Sequence, residues 1–267
     1  MTDPKLELAE IAAEARVLLE REVRRGRTHV ELSGELGPRR EPEGASGSES
    51  RSATSGRSLG RTSSALKAPS GSLRDSAQMA ETPVLAALKQ AVAECRKCVL
   101  CGTRTQTVFS DGSPTAKLVF VGEAPGRDED LKGLPFVGRA GQLLDKMIAA
   151  IGMRREEVYI CNVLKCRPPD NRTPLPEEVE QCLPYLEQQL ALVRPALICA
   201  LGLSSLQALL KTKASMASMR GRTFEYKGIP LIPTYHPAAL LRNPSLKREA
   251  WVDMQRVRET LIARTGT

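Results

Sequence analysis

The sequence predicts an α/β fold: a single three-layer α/β/α domain around a central, mostly parallel four-stranded sheet, preceded by a disordered N-terminal extension. The first observation behind this prediction is that short apolar runs alternate with helix-length segments from about residue 83 onward. The second is that the first aromatic residue of the 267-residue chain is Phe109. Because residues 1–82 are poor in the large side chains that build a core, we expect the folded domain to span residues 83–267.

The N-terminal extension is predicted to contain two unlike segments. Apolar residues at near-helical spacing favour a short helix over about 4–25, which fits a frayed tail as well as a partner-binding helix. Residues 32–80 consist largely of Ser, Gly, Arg and Glu. That composition offers too little apolar surface to offset the entropy of ordering, so it predicts a flexible linker.

Four short apolar runs predict the strands of the sheet. The first, which reads Leu-Val-Phe-Val, lies between Pro114 and Gly122, and bounded runs of this kind are typical of buried strands. The last run contains two prolines, which suit a sheet edge or a strand end. The predicted strands cover residues 117–122, 158–164, 196–201 and 229–235.

Helices are predicted before, between and after these strands. Gly152 ends the helix that follows the first strand, and Pro176 suits the first position of the next helix. Pro184 is expected to break that helix, because proline in a helix interior removes a hydrogen bond and clashes with the preceding turn. The predicted helices cover residues 84–95, 140–151, 176–193 with the break, 203–210 and 248–263.

Charge and composition restrict the function classes. The chain has 39 Lys and Arg against 31 Asp and Glu, a formal net charge of +8, and such a surplus fits a polyanionic partner such as nucleic acid. No stretch approaches 18 apolar residues, so no membrane span is predicted. The N-terminus lacks the apolar core of a secretion signal, which favours the cytoplasm, where disulfides are rare.

The seven cysteines are therefore expected to be thiols or metal ligands. Cys95 and Cys98 form a Cys-x2-Cys pair, and Cys166 and Cys182 form a Cys-x15-Cys pair. Four thiolates can hold zinc or a [4Fe–4S] cluster, and spacing does not decide between them. Cys101 makes a competing pair with Cys98, and unrelated thiols are a further alternative. The other two cysteines lie in apolar runs and are interpreted as core residues.

The carboxyl ends of parallel strands meet at one edge of a sheet, which is where such folds place their active sites. Glu123 follows the first predicted strand within Gly-Glu-Ala-Pro-Gly, and Asn162 lies towards the end of the second. Phe136 precedes a helix in Pro-Phe-Val-Gly, and His236 follows the last strand. Taken singly, each has a structural explanation: a connecting turn, core packing or a strand-end histidine.

Together these motifs resemble the family 4 (iron–sulfur) uracil-DNA glycosylases. The resemblance covers about residues 84–262 and keeps the order and approximate spacing of the motifs. The matching segments are Gly-Glu-Ala-Pro-Gly at 122–126, Glu-Asp at 129–130, Pro-Phe-Val-Gly at 135–138, Tyr-Ile-Cys-Asn-Val-Leu-Lys-Cys-Arg-Pro-Pro at 159–169, Asn-Arg at 171–172 and His-Pro-Ala-Ala-Leu-Leu-Arg-Asn-Pro at 236–244.

The resemblance implies an enzyme that flips uracil out of DNA and hydrolyses its N-glycosidic bond in base excision repair. It implies that Glu123 positions or activates water, that His236 hydrogen-bonds uracil O2, and that Phe136 stacks on the base. It implies that Asn162 reads N3–H and O4. Ala124, Pro125 and Glu129 complete the implied uracil pocket, with Glu129 crowding C5 to exclude thymine.

The resemblance also implies a cofactor and a DNA surface. Its register assigns a [4Fe–4S] cluster to Cys95, Cys98, Cys166 and Cys182 and leaves Cys101 free. The partner is uracil-containing DNA, bound by a monomer. The residues expected to contact phosphates are Lys165, Arg167, Arg172 and Arg242, and those expected to fill the gap left by the flipped base are Leu240 and Leu241.

Two alternatives stay open. One is a catalytically inactive iron–sulfur or zinc module that binds nucleic acid. The other is a glycosylase of the same superfamily that traps its product covalently through a His in an inserted loop after the second strand. Residues 168–172 of this chain read Pro-Pro-Asp-Asn-Arg, without a His or a long insert, which disfavours the second alternative.

Overall fold

The computed structural model describes residues 82–266. The helix expected over about 4–25 and the linker expected over 32–80 lie outside the described residues. Within the described part, no helix is both long enough and apolar enough to cross a membrane.

The centre of the domain is a six-stranded sheet with strand order β1-β3-β2-β4-β6-β5. The predicted count of four strands was therefore too low. The four predicted strands are all present as the contiguous parallel set β3-β2-β4-β6. The strands are β1 (Asp111–Gly112), β2 (Leu118–Gly122), β3 (Tyr159–Asn162), β4 (Leu197–Leu201), β5 (Phe224–Tyr226) and β6 (Ile229–Thr234).

The two strands that sequence analysis missed are the antiparallel edges. β1 pairs with β3, and β5 pairs with β6. They are two and three residues long, too short to produce an apolar run or a period-two pattern. The central strands β2 and β4 are buried along their whole length, which is why their sequences are continuously apolar.

Eight α-helices surround the sheet in the described part of the chain. The predicted break at Pro184 is wrong, since one helix continues through it. Pro184 lies on the exposed side of that helix, where the carbonyl left without a partner can be solvated. The helices are α1 (Pro83–Ala93), α2 (Arg127–Lys132), α3 (Arg139–Ala150), α4 (Pro176–Val193), α5 (Leu203–Leu210), α6 (Met216–Met219), α7 (Pro237–Arg242) and α8 (Lys247–Thr265).

Side chains that alternate along the strands build one apolar layer on each face of the sheet. Val119 and Val121 of β2 pack with α4 and α5 on one face, whereas Leu118 and Phe120 pack with α3 and α8 on the other. This arrangement confirms the predicted three layers. The two cysteines interpreted as core residues, Cys161 and Cys199, are fully buried, one on each face.

A third apolar cluster joins the N-terminal part of the domain to α4. Leu85 and Leu88 of α1 pack with Leu100, which lies in a 3₁₀ turn, and with Tyr185. Four cysteines, Cys95, Cys98, Cys166 and Cys182, belong to the same cluster or pack against it. The fold thus brings the two cysteine pairs predicted from sequence to one place.

The end of β6 is fixed by a buried polar network. Asp253 of α8 is 1% exposed and accepts hydrogen bonds from Thr234 Oγ1 at 2.9 Å and from Arg220 Nε at 2.8 Å. Arg220 also contacts Glu249 and lies over the ring of Tyr235, 4.6 Å from its centroid. Paired buried charges of this kind hold their neighbours in one geometry. The residue that follows Tyr235 is His236.

Candidate active site

The site is built around the end of β2, where no side chain fits. A Cβ added to Gly122 would lie 2.3 Å from Asn162 Oδ1 and 2.6 Å from Phe136 Cζ. Gly122 and Asn162 are register partners in the parallel pair β2–β3. The missing side chain at Gly122 therefore lets the amide of Asn162 and the ring of Phe136 meet at one point.

Asn162 is the last residue of β3 and is 1% exposed. Its Oδ1 atom is buried and has no hydrogen-bond partner within the described part of the chain. Leaving a buried acceptor unpaired costs about 1–3 kcal/mol, so native structures keep few of them. An unpaired amide oxygen near an aromatic ring at the edge of the sheet is typical of a group that binds a ligand.

Phe136 faces His236 across the site, with ring centroids 5.5 Å apart and planes inclined by 35°. Phe136 has a positive φ of 53°, a conformation that non-glycine residues seldom adopt. A Cβ on Gly141 would lie 1.7 Å from the Phe136 carbonyl oxygen, so the turn into α3 also needs a glycine. Phe136 thus lies at this edge of the sheet with 5% of its surface exposed, and its role as a stacking residue stays a prediction.

Two charged side chains hold the Phe136 loop in this conformation. Glu129 accepts hydrogen bonds from the backbone N–H groups of Val137 at 2.8 Å and Gly138 at 3.0 Å, as well as from Gly126 at 3.1 Å. Arg155 donates to the carbonyl of Pro135 at 2.7 Å and is itself paired with Asp111 and Asp145. Sequence analysis did not find Arg155, because it lies outside every motif.

His236 is the N-cap residue of α7. Its Nδ1 accepts a hydrogen bond from the Ala238 N–H at 3.1 Å, so the proton of the neutral ring is on Nε2. Burial lowers the pKa of His236 from 6.5 to about 4; the positive charge of Arg242 adds to this effect and Glu129 opposes it. The ring is therefore a neutral donor at physiological pH.

Gly202 lets the backbone of His236 approach the neighbouring strand. It follows β4 with φ of 91°, and a Cβ there would lie 2.9 Å from His236 Cβ. Its N–H donates to the Thr234 carbonyl at 2.8 Å. The close approach of two strand ends is thus repeated on this side of the sheet.

Glu123 follows Gly122 and is half-buried. Its main-chain oxygen accepts a hydrogen bond from Leu164 N–H at 3.0 Å, which ties the loop after β2 to the segment after β3. Among residues 82–266 no hydrogen bond or ion pair engages its carboxylate. Ala124 and Pro125 continue the same turn, Pro125 being buried. The carboxylate is therefore free to act on a bound molecule.

A second cavity, separate from this site, is lined by cysteines. It is lined by Cys95, Cys98, Cys101, Cys166 and Cys182, so the structure brings all the ligand candidates together. Arg104 Nη1 donates to Cys166 Sγ at 3.2 Å. No three His, Cys, Asp or Glu side chains of the described part converge closely enough to hold a single metal ion.

Comparison with known proteins identifies the family. Residues 109–255 match the uracil DNA glycosylase superfamily. A type-4 uracil-DNA glycosylase of Archaeoglobus fulgidus is 48% identical over 176 residues, which cover 63% of this chain and 88% of the relative. Those of Sulfurisphaera tokodaii and Thermotoga maritima are 42% and 43% identical, over 66% and 64% of this chain and 84% and 91% of their own lengths. The chain belongs to the type-4 uracil-DNA glycosylases.

Two of the residues expected to contact DNA in this type-4 glycosylase are wrongly placed for that role. Lys165 is 1% exposed and Leu240 is 2% exposed. Lys165 points inward, and its Nζ donates to the Asn162 carbonyl at 2.6 Å. Leu240 packs with Leu143 and Ala250 beneath α7. A buried ammonium cannot reach a phosphate, and a leucine committed to the core cannot enter a duplex.

The other expected DNA contacts of the type-4 glycosylase lie at the surface. Leu241 is 38% exposed, and Arg242 next to it is exposed as well. Arg167 bonds Asn171 at 2.8 Å and keeps part of its surface open. Arg172 forms two hydrogen bonds with the carboxylate of the buried Glu178, at 2.6 and 2.9 Å. Its charge is thereby balanced, which makes it the weakest of these candidates for binding phosphate.

The pH titration of His236 tests the neutral ring. We expect its imidazole NMR signals to stay those of the neutral form from pH 8 to about 5 and to titrate near pH 4. The pKa of His236 is higher in the unfolded chain, so protonation favours unfolding. The contribution of His236 to the free energy of unfolding is therefore full above pH 6.5 and is lost as the pH falls towards 4. The variant His29→Gln assigns the signals, since the chain has two histidines. A midpoint near 6.5 for His236 would contradict the predicted burial.

Proposed function

We propose that this chain is a uracil-DNA glycosylase that extrudes uracil from DNA and hydrolyses its N-glycosidic bond, leaving an abasic site. The observation that carries the proposal is the buried, unpaired Oδ1 of Asn162 beside the rings of Phe136 and His236. Uracil offers the missing donor at N3–H. The names of the type-4 relatives support the same activity.

Base recognition follows from the geometry of the amide. With Oδ1 accepting from N3–H, the Nδ2 group donates to O4, so uracil satisfies both halves of the Asn162 side chain. Cytosine presents an acceptor at N3 and a donor at N4, and a fixed amide therefore rejects it. The Phe136 ring offers a stacking face to the extruded base. Both carboxylate oxygens of Glu129 already accept hydrogen bonds from backbone N–H groups, which gives this side chain a structural role. Its further role at uracil C5 stays a prediction.

Catalysis requires charge to be stabilised at both ends of the breaking bond. As the C1′–N1 bond breaks, its electron pair moves onto uracil and the sugar becomes cationic. The neutral Nε2–H of His236 donates to O2 and stabilises the departing anion. The Glu123 carboxylate offsets the sugar cation and accepts a proton from the water that bonds to C1′. Both residues follow parallel strands, so the sheet sets the distance between them.

The same proposal includes a partner and a setting. Uracil-containing DNA is the substrate, with Leu241 entering the gap left by the flipped base and Arg167 and Arg242 meeting phosphates. The residues proposed to act on uracil (Glu123, Phe136, Asn162 and His236) all belong to one chain. Because no residue of a second copy is needed, we propose that the protein acts as a monomer. None of the seven cysteines forms a disulfide, which supports a reducing compartment such as the cytoplasm.

We further propose that Cys95, Cys98, Cys166 and Cys182 hold a [4Fe–4S] cluster. The residues fit the group, because all four line one cavity and thiolates are the usual ligands of such clusters. Zinc is the alternative that the same four thiolates allow, and the resemblance to the iron–sulfur glycosylases favours the cluster. When bound, the cluster would be a structural link between the loop after α1 and the segment after β3.

An oligonucleotide assay tests the activity and separates the alternatives. The protein is incubated with a labelled duplex that contains one U·G pair, and the products are treated with alkali. Strand breaks at the uracil position support the proposed hydrolysis. A mobility shift without breaks would indicate a binding module, and an adduct that survives heating would indicate covalent trapping. A duplex with C·G at the same position is the control.

Asn162→Asp tests how uracil is read. A carboxylate cannot donate to O4, so single-turnover excision of uracil should fall by on the order of 10²–10³, as when one preorganised donor is removed. Discrimination against cytosine should fall as well. Glu180→Gln, on the exposed face of α4, is a matched control and should leave the rate unchanged. An Asn162→Asp rate equal to that of the unmodified protein would exclude the amide from base reading.

Cysteine variants test the ligand set. Cys166→Ala should lose iron and the broad absorbance near roughly 400 nm expected of a thiolate-ligated cluster. It should also lower thermal stability, because the metal joins distant segments of the chain. Cys101→Ala, from the same cavity, should keep both and is the matched control. Iron content and absorbance after anaerobic purification decide the result. Zinc in the unmodified protein, or iron loss in Cys101→Ala, would contradict the assignment.

A further inference from the structure

Lys165 is a buried lysine whose amine has no carboxylate partner among the described residues. It is 1% exposed, one of the largest fully buried side chains in the described part of the chain. None of the carboxylates of residues 82–266 lies within ion-pair distance of its ammonium. The acceptor found for its Nζ is the uncharged carbonyl of Asn162, at 2.6 Å. Burying a charge in this way is strongly unfavourable unless an opposite charge compensates it.

The surroundings of Lys165 show where that compensation can come from. Lys165 lines the cysteine cavity together with the four proposed ligands. Its own backbone N–H donates to Cys182 Sγ at 3.3 Å, and the next residue in the chain is Cys166. Thiolates in this cavity are the nearest source of negative charge, and they are anionic when they bind a metal.

Lys165 also contacts Asn162, the residue proposed to read uracil. The same ammonium that lines the cysteine cavity holds the main-chain oxygen of Asn162, and the Asn162 side chain carries the unpaired Oδ1. Residues 162–166 are therefore a five-residue link between the two sites. Hydrogen bonds to ligands and to the groups around them commonly set both the affinity for a metal and the orientation of nearby side chains.

We propose that Lys165 is a positioning residue that couples the cluster to uracil recognition. Its charge balances the thiolate-ligated group, and its hydrogen bond to the Asn162 carbonyl fixes the amide that reads the base. This inference rests on the proposed function, since it takes both the cluster and the uracil pocket from it. Lys165 thus serves the pocket from inside the protein.

Lys165→Met tests the proposal, because methionine fills a similar volume without a charge or a donor. At an iron content equal to that of the unmodified protein, single-turnover uracil excision should fall by about 10- to 100-fold, the usual effect of losing such a supporting contact. The midpoint potential of the cluster should become more negative, since a nearby positive charge favours the reduced form. A residue with a purely structural role would not change the potential.

Lys97→Met is the matched control. Lys97 lines the same cavity but is exposed, and its ammonium lies over the Tyr185 ring at 4.7 Å. Solvent screens its charge, so rate and potential should both be unchanged. An unchanged potential or an unchanged rate in Lys165→Met would each overturn the proposal. A wild-type protein without iron or without uracil excision would instead reject the proposed function, and this inference with it.

A second measurement needs no variant and applies even if Lys165→Met does not fold. Coupling between two sites is reciprocal, so uracil binding should shift the midpoint potential if the cluster influences uracil binding. The potential of the unmodified protein is measured with and without saturating free uracil. We expect a reproducible shift with uracil and none with cytosine. Equal potentials in the presence and absence of uracil would overturn the coupling.

Discussion

Gly122 ends β2 at a point where the amide of Asn162 and the ring of Phe136 leave no space for a Cβ. The rest of the site depends on this close approach. It places the unpaired Asn162 oxygen and the Phe136 ring around one point, and that ring lies 5.5 Å from the His236 ring. Gly202 repeats the arrangement at the end of the neighbouring strand β4, where its missing side chain admits the backbone of His236. Two glycines at strand ends thus bring Phe136 and His236, which are 100 positions apart, into one pocket.

The site contains several features that are unfavourable for folding. Phe136 has a positive φ, the Oδ1 of Asn162 has no partner, and Lys165 is a buried cation. Each is retained against a cost of order 1–3 kcal/mol or more. The surrounding structure over-determines them: Glu129 and Arg155 clamp the Phe136 loop, and Asp253 fixes the strand before His236. Such local conflicts commonly mark functional sites.

Much of the fold could be predicted from sequence, because its core strands are continuous apolar runs between Gly and Pro residues. The edge strands β1 and β5 could not, since pairings of two or three residues leave no pattern. The predicted break at Pro184 was wrong. Proline is disfavoured in a helix interior in general, but the buried neighbours Leu183 and Tyr185 pack against the domain and stabilise this helix. The strand-end candidates Glu123, Asn162 and His236 could be selected from sequence because parallel strands end at one edge, whereas their roles came from the family resemblance.

Burial was the property that sequence could not supply. Lys165 and Leu240 have the residue types of DNA contacts, and only the packing around them shows that they face inward. The role of Gly122 as a close contact, and of Arg155 as a clamp, likewise depends on pairs far apart in the chain. Charge and spacing therefore identified the chemistry of the pocket better than they identified its DNA-facing surface.

We infer that the unpaired oxygen of the Asn162 amide binds uracil. The most direct test is a crystal structure with a duplex that carries 2′-fluoro-2′-deoxyuridine, whose electron-withdrawing fluorine slows cleavage. We expect uracil N3 to lie about 2.7–3.2 Å from Asn162 Oδ1. The base should stack on Phe136, and its O2 should lie at hydrogen-bonding distance from His236 Nε2. A flipped uracil held by other groups, with Asn162 Oδ1 still unpaired, would contradict it.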